Sequence, residues 1–144
     1  MKISTLFNVL IFCLIFATNV FAKNSNSFNE GKKLYLNKKF EESKFFFEKD
    51  LVFNPKNSKS YLYLAKIYKE KENIEEEQYN LQNVLLLDPK NDEAIYLLIM
   101  LKIEQSNYKE ARDLIDNFNK VCDSFCSKKK DINEKFSKLI PENE

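Results

Sequence analysis

Residues that shape helix ends recur in this chain at an interval of 34 positions. Pro55 and Pro89 keep that spacing, as do Asn57 and Asn91, and Asn73 and Asn107. Two series of large residues keep it over three positions each: Phe40, Ile74 and Tyr108, and Phe47, Leu81 and Ile115. A period of this length marks stacked supersecondary units, each too small to bury its apolar face alone. The interval constrains the fold before any single residue does.

Each register has a local reading. Proline cannot continue a helix, so Pro55 and Pro89 close one. Asn57 and Asn91 are suited to cap the next. Asp92 and Glu93 fall where the dipole of a first turn favours carboxylates. Asn73 with Glu76, and Asn107 with Glu110, have the spacing of a capping box. Between the caps, apolar residues recur at steps of three and four, as in Tyr61, Leu64, Ala65 and Tyr68. The spacing predicts three helix pairs: 25–37 with 41–54, 58–71 with 75–87, and 92–105 with 108–121. A last amphipathic helix near 128–139 carries Ile132, Phe136, Leu139 and Ile140 on one face. It is expected to cover the open apolar end of the stack. With one Gly and three Pro, the chain has little turn chemistry for a sheet.

Period, caps and helix-end proline together resemble the tetratricopeptide repeat, over about Asn24 to Asp123. In the first repeat Gly31, Phe40, Ser43, Phe47 and Pro55 fall on family positions. In the second, Tyr61, Leu64, Ala65, Tyr68, Leu81 and Pro89 do; in the third, Leu98, Tyr108, Ala111 and Ile115. The resemblance implies an all-α, right-handed superhelical array of about three hairpins. Its repeats would be 24–57, 58–91 and 92–123 within a domain 23–127, with 128–144 as capping helix and tail. Three positions depart from the pattern. Asp123 replaces the third helix-ending proline, Glu77 stands where a small residue is usual at the helix crossing, and Ile99 where Gly or Ala is. The last two predict looser or shifted packing in the second and third hairpins.

The sequence offers little for chemistry. It has no His, hence none of the usual general base, commonest metal ligand or Ser–His and Cys–His pairs. The single Gly, inside a helical pattern, makes no phosphate-binding loop. Glu75, Glu76 and Glu77 are adjacent and point in different directions on a helix. No catalytic residue, cofactor or metal site is expected; two cysteines alone do not complete a structural zinc site. Basic and acidic residues number 23 and 22 and are interspersed, which argues against nucleic acid as a partner. Lys128, Lys129 and Lys130, beside Asp131 and Glu134, read as a solvated helix start.

Residues 1–22 have the layout of an export signal: Lys2, an apolar run over Val9 to Ala17, and Val20-Phe21-Ala22 before a cleavage point at Lys23. Cys13 follows Phe12, not the small residue that a lipoprotein signal requires. The alternative is an uncleaved anchor, about long enough to span a bilayer. Either way the remainder is expected outside the cytoplasm, periplasmic or extracellular, and a membrane association only if the segment is retained. Removing Lys2 leaves 22 basic residues against 22 acidic ones.

The family resemblance implies that first helices line a concave face receiving partner peptides. The positions here are Phe28, Lys32 and Tyr35, then Leu62, Tyr63, Lys66 and Lys69, then Tyr96 and Met100, flanked by Leu97 and Ile103. The carboxylate clamp of the family's chaperone-binding members is absent: its places hold Phe28, Lys32, Tyr63, Glu93 and Leu97. An aromatic and aliphatic channel with a Lys32–Lys66–Lys69 stripe suits a protein or peptide with apolar anchors. The function expected is an exported protein-binding scaffold in envelope complex assembly. The alternative is a structural homo-oligomer whose groove receives a neighbour's terminal helix. Cys122 and Cys126, the only cysteines after Lys23, are expected to form a disulfide joining the last hairpin to the covering helix. Two small apolar residues packed beside a hinge is the plainer reading.

Overall fold

The structure, a computed structural model, describes residues 26–139. The expected export segment 1–22, Cys13, Ile140 and the tail 141–144 lie outside the described residues. The chain is all-α, with no strand among the described residues. It divides between Pro55 and Lys56 into two compact units.

The first unit is a hairpin of α1 (Ser27–Leu36) and α2 (Phe40–Phe53). Its two helices meet where Gly31 faces Phe47: a Cβ on Gly31 would lie 2.9 Å from the Phe47 ring. The Ser43 hydroxyl donates to the Gly31 carbonyl at 2.8 Å, in the buried crossing. Phe28 leans on Phe47 with ring centroids 5.8 Å apart, and Tyr35 on Phe40 at 5.6 Å.

The second unit holds α3 (Ser58–Glu70), α4 (Ile74–Leu87), α5 (Asp92–Glu104), α6 (Tyr108–Val121), a 3-10 turn at Cys126–Lys128 and α7 (Lys129–Leu139). All seven α-helices among the described residues begin and end within two residues of the ends that the spacing predicts. Asn57 accepts from the Lys59 N–H and Asn91 from the Ala94 N–H, so each caps its helix. Asn73 and Asn107 accept from the N–H groups of Glu76 and Glu110. The reciprocal half of a capping box is replaced. The Asn73 and Asn107 N–H groups donate instead to Tyr68 and Lys102 carbonyls of the preceding helix, five residues back.

That replacement belongs to a turn that closes all three hairpins alike. Lys38, Glu72 and Ser106, 34 residues apart, each have a positive φ, of 58°, 54° and 56°. Each donates its N–H to a carbonyl three residues back, and the following residue donates to one five residues back. This is the Schellman arrangement, which glycine usually occupies.

In the second unit two buried clusters share α5. One joins Leu62, Ala65, Leu81, Val84, Ala94, Leu98 and Leu101. The other joins Ile95, Ile99, Met100, Ile103, Ala111, Ile115, Phe118 and Ile132. Ile99, where looser packing was expected, is fully buried. Across the three hairpins the crossing pairs are Gly31 with Phe47, Ala65 with Leu81, and Ile99 with Ile115. From the first hairpin to the second, volume added on the first helix is removed from the second, as close packing demands; in the third, Ile99 adds volume against an Ile115 no smaller than Leu81. Glu77 is buried as well, and burial pushes its carboxyl above the ordinary value; Lys69 lowers it in part and Glu104 adds to the rise.

Candidate partner-binding face

Every residue of the expected concave face except Lys32 is buried or half-buried. In the first unit Phe28 and Tyr35 are half-buried against Phe47 and Phe40, and Lys32 is exposed on α1. Phe28 and Tyr35 thus pack within their own hairpin.

In the second unit Leu62 is buried in the α3–α5 core, at 7% exposure. Its neighbours on the same helix form a polar patch at the surface. Lys66 lies 5.1 Å from the centre of the Tyr63 ring and is ion-paired with Glu93 at the start of α5, at 2.5 Å. Burial, with the Glu93 charge second, raises the Tyr63 pKa, so the phenol stays neutral and able to donate. Lys69 is half-buried one turn along. Tyr63, Lys66 and Glu93 are therefore brought together: an aromatic face, a cation and a carboxylate on adjoining helices. Such a group offers an apolar side chain a ring to rest on and a peptide backbone or acidic group a hydrogen-bonding partner.

The positions expected on α5 are covered by the chain itself. Tyr96 donates its hydroxyl to Asp131 of α7 at 3.1 Å, and its ring meets Phe125 at 6.0 Å and the Lys128 ammonium at 5.5 Å. Burial raises the Tyr96 pKa first, then the hydrogen bond to Asp131 and its charge. Met100 is buried, with Lys135 of α7 reaching its sulfur at 3.5 Å. Ile132 of α7, 1% exposed, sits in the same cluster, and Phe136 packs edge-on to Tyr108 with Arg112 above its ring. Tyr96 and Met100 thus hold the terminal helix.

Sequence reasoning missed the carboxylate contacts that help to fix that helix in place. A disulfide joins Cys122 and Cys126, with Cα atoms 5.2 Å apart. Inside its loop the N–H groups of Asp123 and Phe125 donate to Asp92 Oδ2 at 2.8 and 2.7 Å, and the Ser124 hydroxyl to Oδ1 at 3.2 Å. Burial works to raise the Asp92 pKa. The donors of Phe125, Asp123 and Ser124 and the Glu93 N–H outweigh it, and hold the carboxyl below its ordinary value. The signal was present, since Asp92 stands in a helix first turn, but nothing in its spacing pointed to a loop 31 residues away.

Among the described residues no group of three or more His, Cys, Asp or Glu is placed to hold a metal ion. No described helix is long and apolar enough to cross a membrane. No protein-family model matches the sequence, and no curated protein matches it significantly.

Proposed function

We propose that the chain is an exported scaffold of tetratricopeptide type, which binds a protein or peptide with apolar anchors along its first helices. The reading rests most heavily on one observation: the hairpin turn recurs at 34 residues down to the positive φ of Lys38, Glu72 and Ser106. A repeat conserved in backbone conformation as well as in spacing is what a superhelical array of hairpins requires. The all-α fold and the covering of the third hairpin by α7 support the same arrangement.

Within that arrangement the face is represented in the second unit by the half-buried Tyr63, Lys66 and Lys69 of α3 with Glu93 of α5. Lys32 is its counterpart in the first unit. The balance of 22 basic and 22 acidic residues beyond Lys23 suits a partner held by apolar anchors and a few polar contacts, not one captured by net charge.

Site-specific photo-crosslinking in the native envelope tests the reading. A crosslinker at position 63 or 69 is expected to capture a distinct partner protein, while one at exposed Glu75 on α4 is not. Partner capture at 75 alone would overturn it. Export is tested separately: the processed protein is expected to begin at Lys23, and Met1 retained in the exported form would replace the signal by an anchor.

A further inference from the structure

Helix α2 is apolar on two sides. Its inner side supplies Phe47, which is fully buried. Its outer side presents Phe45, Val52 and Phe53, which are 59, 76 and 51% exposed. Steps of seven and eight residues return to one face of a helix, so the three form a single stripe. Beside it a shallow depression is lined by Phe45, Glu48, Lys49, Val52 and Phe53. Of the same three positions on α6, two carry Asp113 and Lys120, and the third is Val121, half-buried against the core rather than exposed. Large apolar residues gathered outward in this way mark a surface that associates.

We propose that α2 pairs antiparallel with α2 of a second copy of this chain, about a two-fold axis between Glu48 and Lys49. That register is self-complementary twice over. Phe45 of each copy falls opposite Val52 of the other, and Glu48 of each opposite Lys49 of the other. A two-fold interface needs one patch that fits itself, and opposite charges at its centre fix register and orientation. Glu48 already attracts Lys44 within its own helix at 3.6 Å, so the pair across the axis joins a small charge network. Two other occupants fit less well. A lipid surface favours a basic face, whereas the charges on α2 and at its start are mixed in sign, Glu41, Glu42 and Glu48 against Lys38, Lys39, Lys44 and Lys49. The outer stripe of α4, Tyr79, Leu86 and Leu87, has only Gln82 and Asn83 between its ends and so lacks a charge pair to set a register.

Sedimentation equilibrium of the full chain, in the form its host leaves it and in one buffer throughout, tests the pairing. The protein is expected to dimerise reversibly. Val52→Asp should weaken the dimer by about tenfold or more, and Val52 is exposed enough that folding does not depend on it. Glu48→Lys should weaken it by about tenfold through like-charge contact with Lys49. Glu48→Lys combined with Lys49→Glu should restore it to within about threefold, while Tyr79→Asp leaves it unchanged. Circular dichroism checks that each variant remains helical. A wild-type protein that stays monomeric to about 100 μM, a dimer indifferent to Val52→Asp, or a charge swap that fails to restore would each overturn the proposal.

Discussion

At Gly31 a single added carbon decides how closely α1 can approach α2. Its Cβ would meet three atoms of the Phe47 ring between 2.9 and 3.1 Å, and that ring is fully buried and has no flexible end to move aside. Gly31→Ala is therefore expected to destabilise the protein by about 1–3 kcal/mol, the usual cost of overpacking, read as a lower urea midpoint. Adding Phe47→Leu, which reproduces the Ala65–Leu81 crossing of the second hairpin, should recover part of that loss. A fully additive double variant would mean that the two residues do not share one volume. Glu77 makes a second prediction at this scale. Its folded-state pKa lies above the ordinary 4.5, so the protonated form is the one that folding favours. Its contribution is fully present below that ordinary value and is lost as pH rises through the folded pKa. Glu77→Gln should thus gain stability over wild type as pH rises from about 4.5 toward neutrality. Parallel stability–pH curves for the two proteins would remove Glu77 from this account.

At the scale of the helices, the hairpin turn is the repeated unit and its weak point is a side chain at positive φ. Lys38, Glu72 and Ser106 each occupy the left-handed region, which costs an ordinary residue roughly 1–2 kcal/mol and glycine little. Glycine also loses more freedom on folding, so Glu72→Gly is expected to gain a net of about 0.5–1 kcal/mol. Thermal unfolding should shift upward by a few degrees, about what that gain implies for a chain of this size. A lower midpoint would mean that the Glu72 side chain contributes more than its backbone strain costs. The same turns explain what was legible in the sequence. Helix ends are written in Pro55, Pro89 and the four capping Asn residues, because proline and side-chain caps act within a few residues of where they stand. The positive φ was not legible, since Lys, Glu and Ser occupy the place where Gly would have announced it. Leu62 was placed on the right helix but not at the right depth. Helical periodicity assigns a face, whereas depth depends on the neighbouring hairpin. Tyr96 and Met100 lie on α5 as expected, yet the segment that covers them has no repeat register from which its docking could be read.

At the scale of the whole chain, the repeated part and the non-repeated C-terminal part are joined, beyond the packing of α7 on the third hairpin, by one carboxylate and one disulfide. Asp92 opens α5, and its oxygens take the donors of Asp123, Ser124 and Phe125, all inside the loop that Cys122–Cys126 closes. The bridge narrows the conformations of that loop, and the loop's N–H groups converge on Asp92 only in one of them. Removing the bridge by Cys122→Ser with Cys126→Ser should cost about 2 kcal/mol on the chain-entropy account. Asp92→Asn, which keeps the shape but loses the charge on the acceptor, should cost about 1–2 kcal/mol. Because each holds the same loop, the combined variant should lose less than the sum, with a coupling of about 1 kcal/mol. The pH dependence separates the two parts. Asp92 has a folded-state pKa below the ordinary 3.8, so its contribution is present above that value and is lost as pH falls through the folded one. Wild type and the cysteine variant should therefore both lose stability on the acid side of about pH 4, while Asp92→Asn lacks that part of the loss. Urea titrations of the four proteins at neutral and acid pH, with the bridge verified by intact mass before and after reduction and alkylation, measure both effects. Strict additivity would make disulfide and carboxylate independent, and an unchanged acid limb in Asp92→Asn would mean that the charge is not what holds the loop.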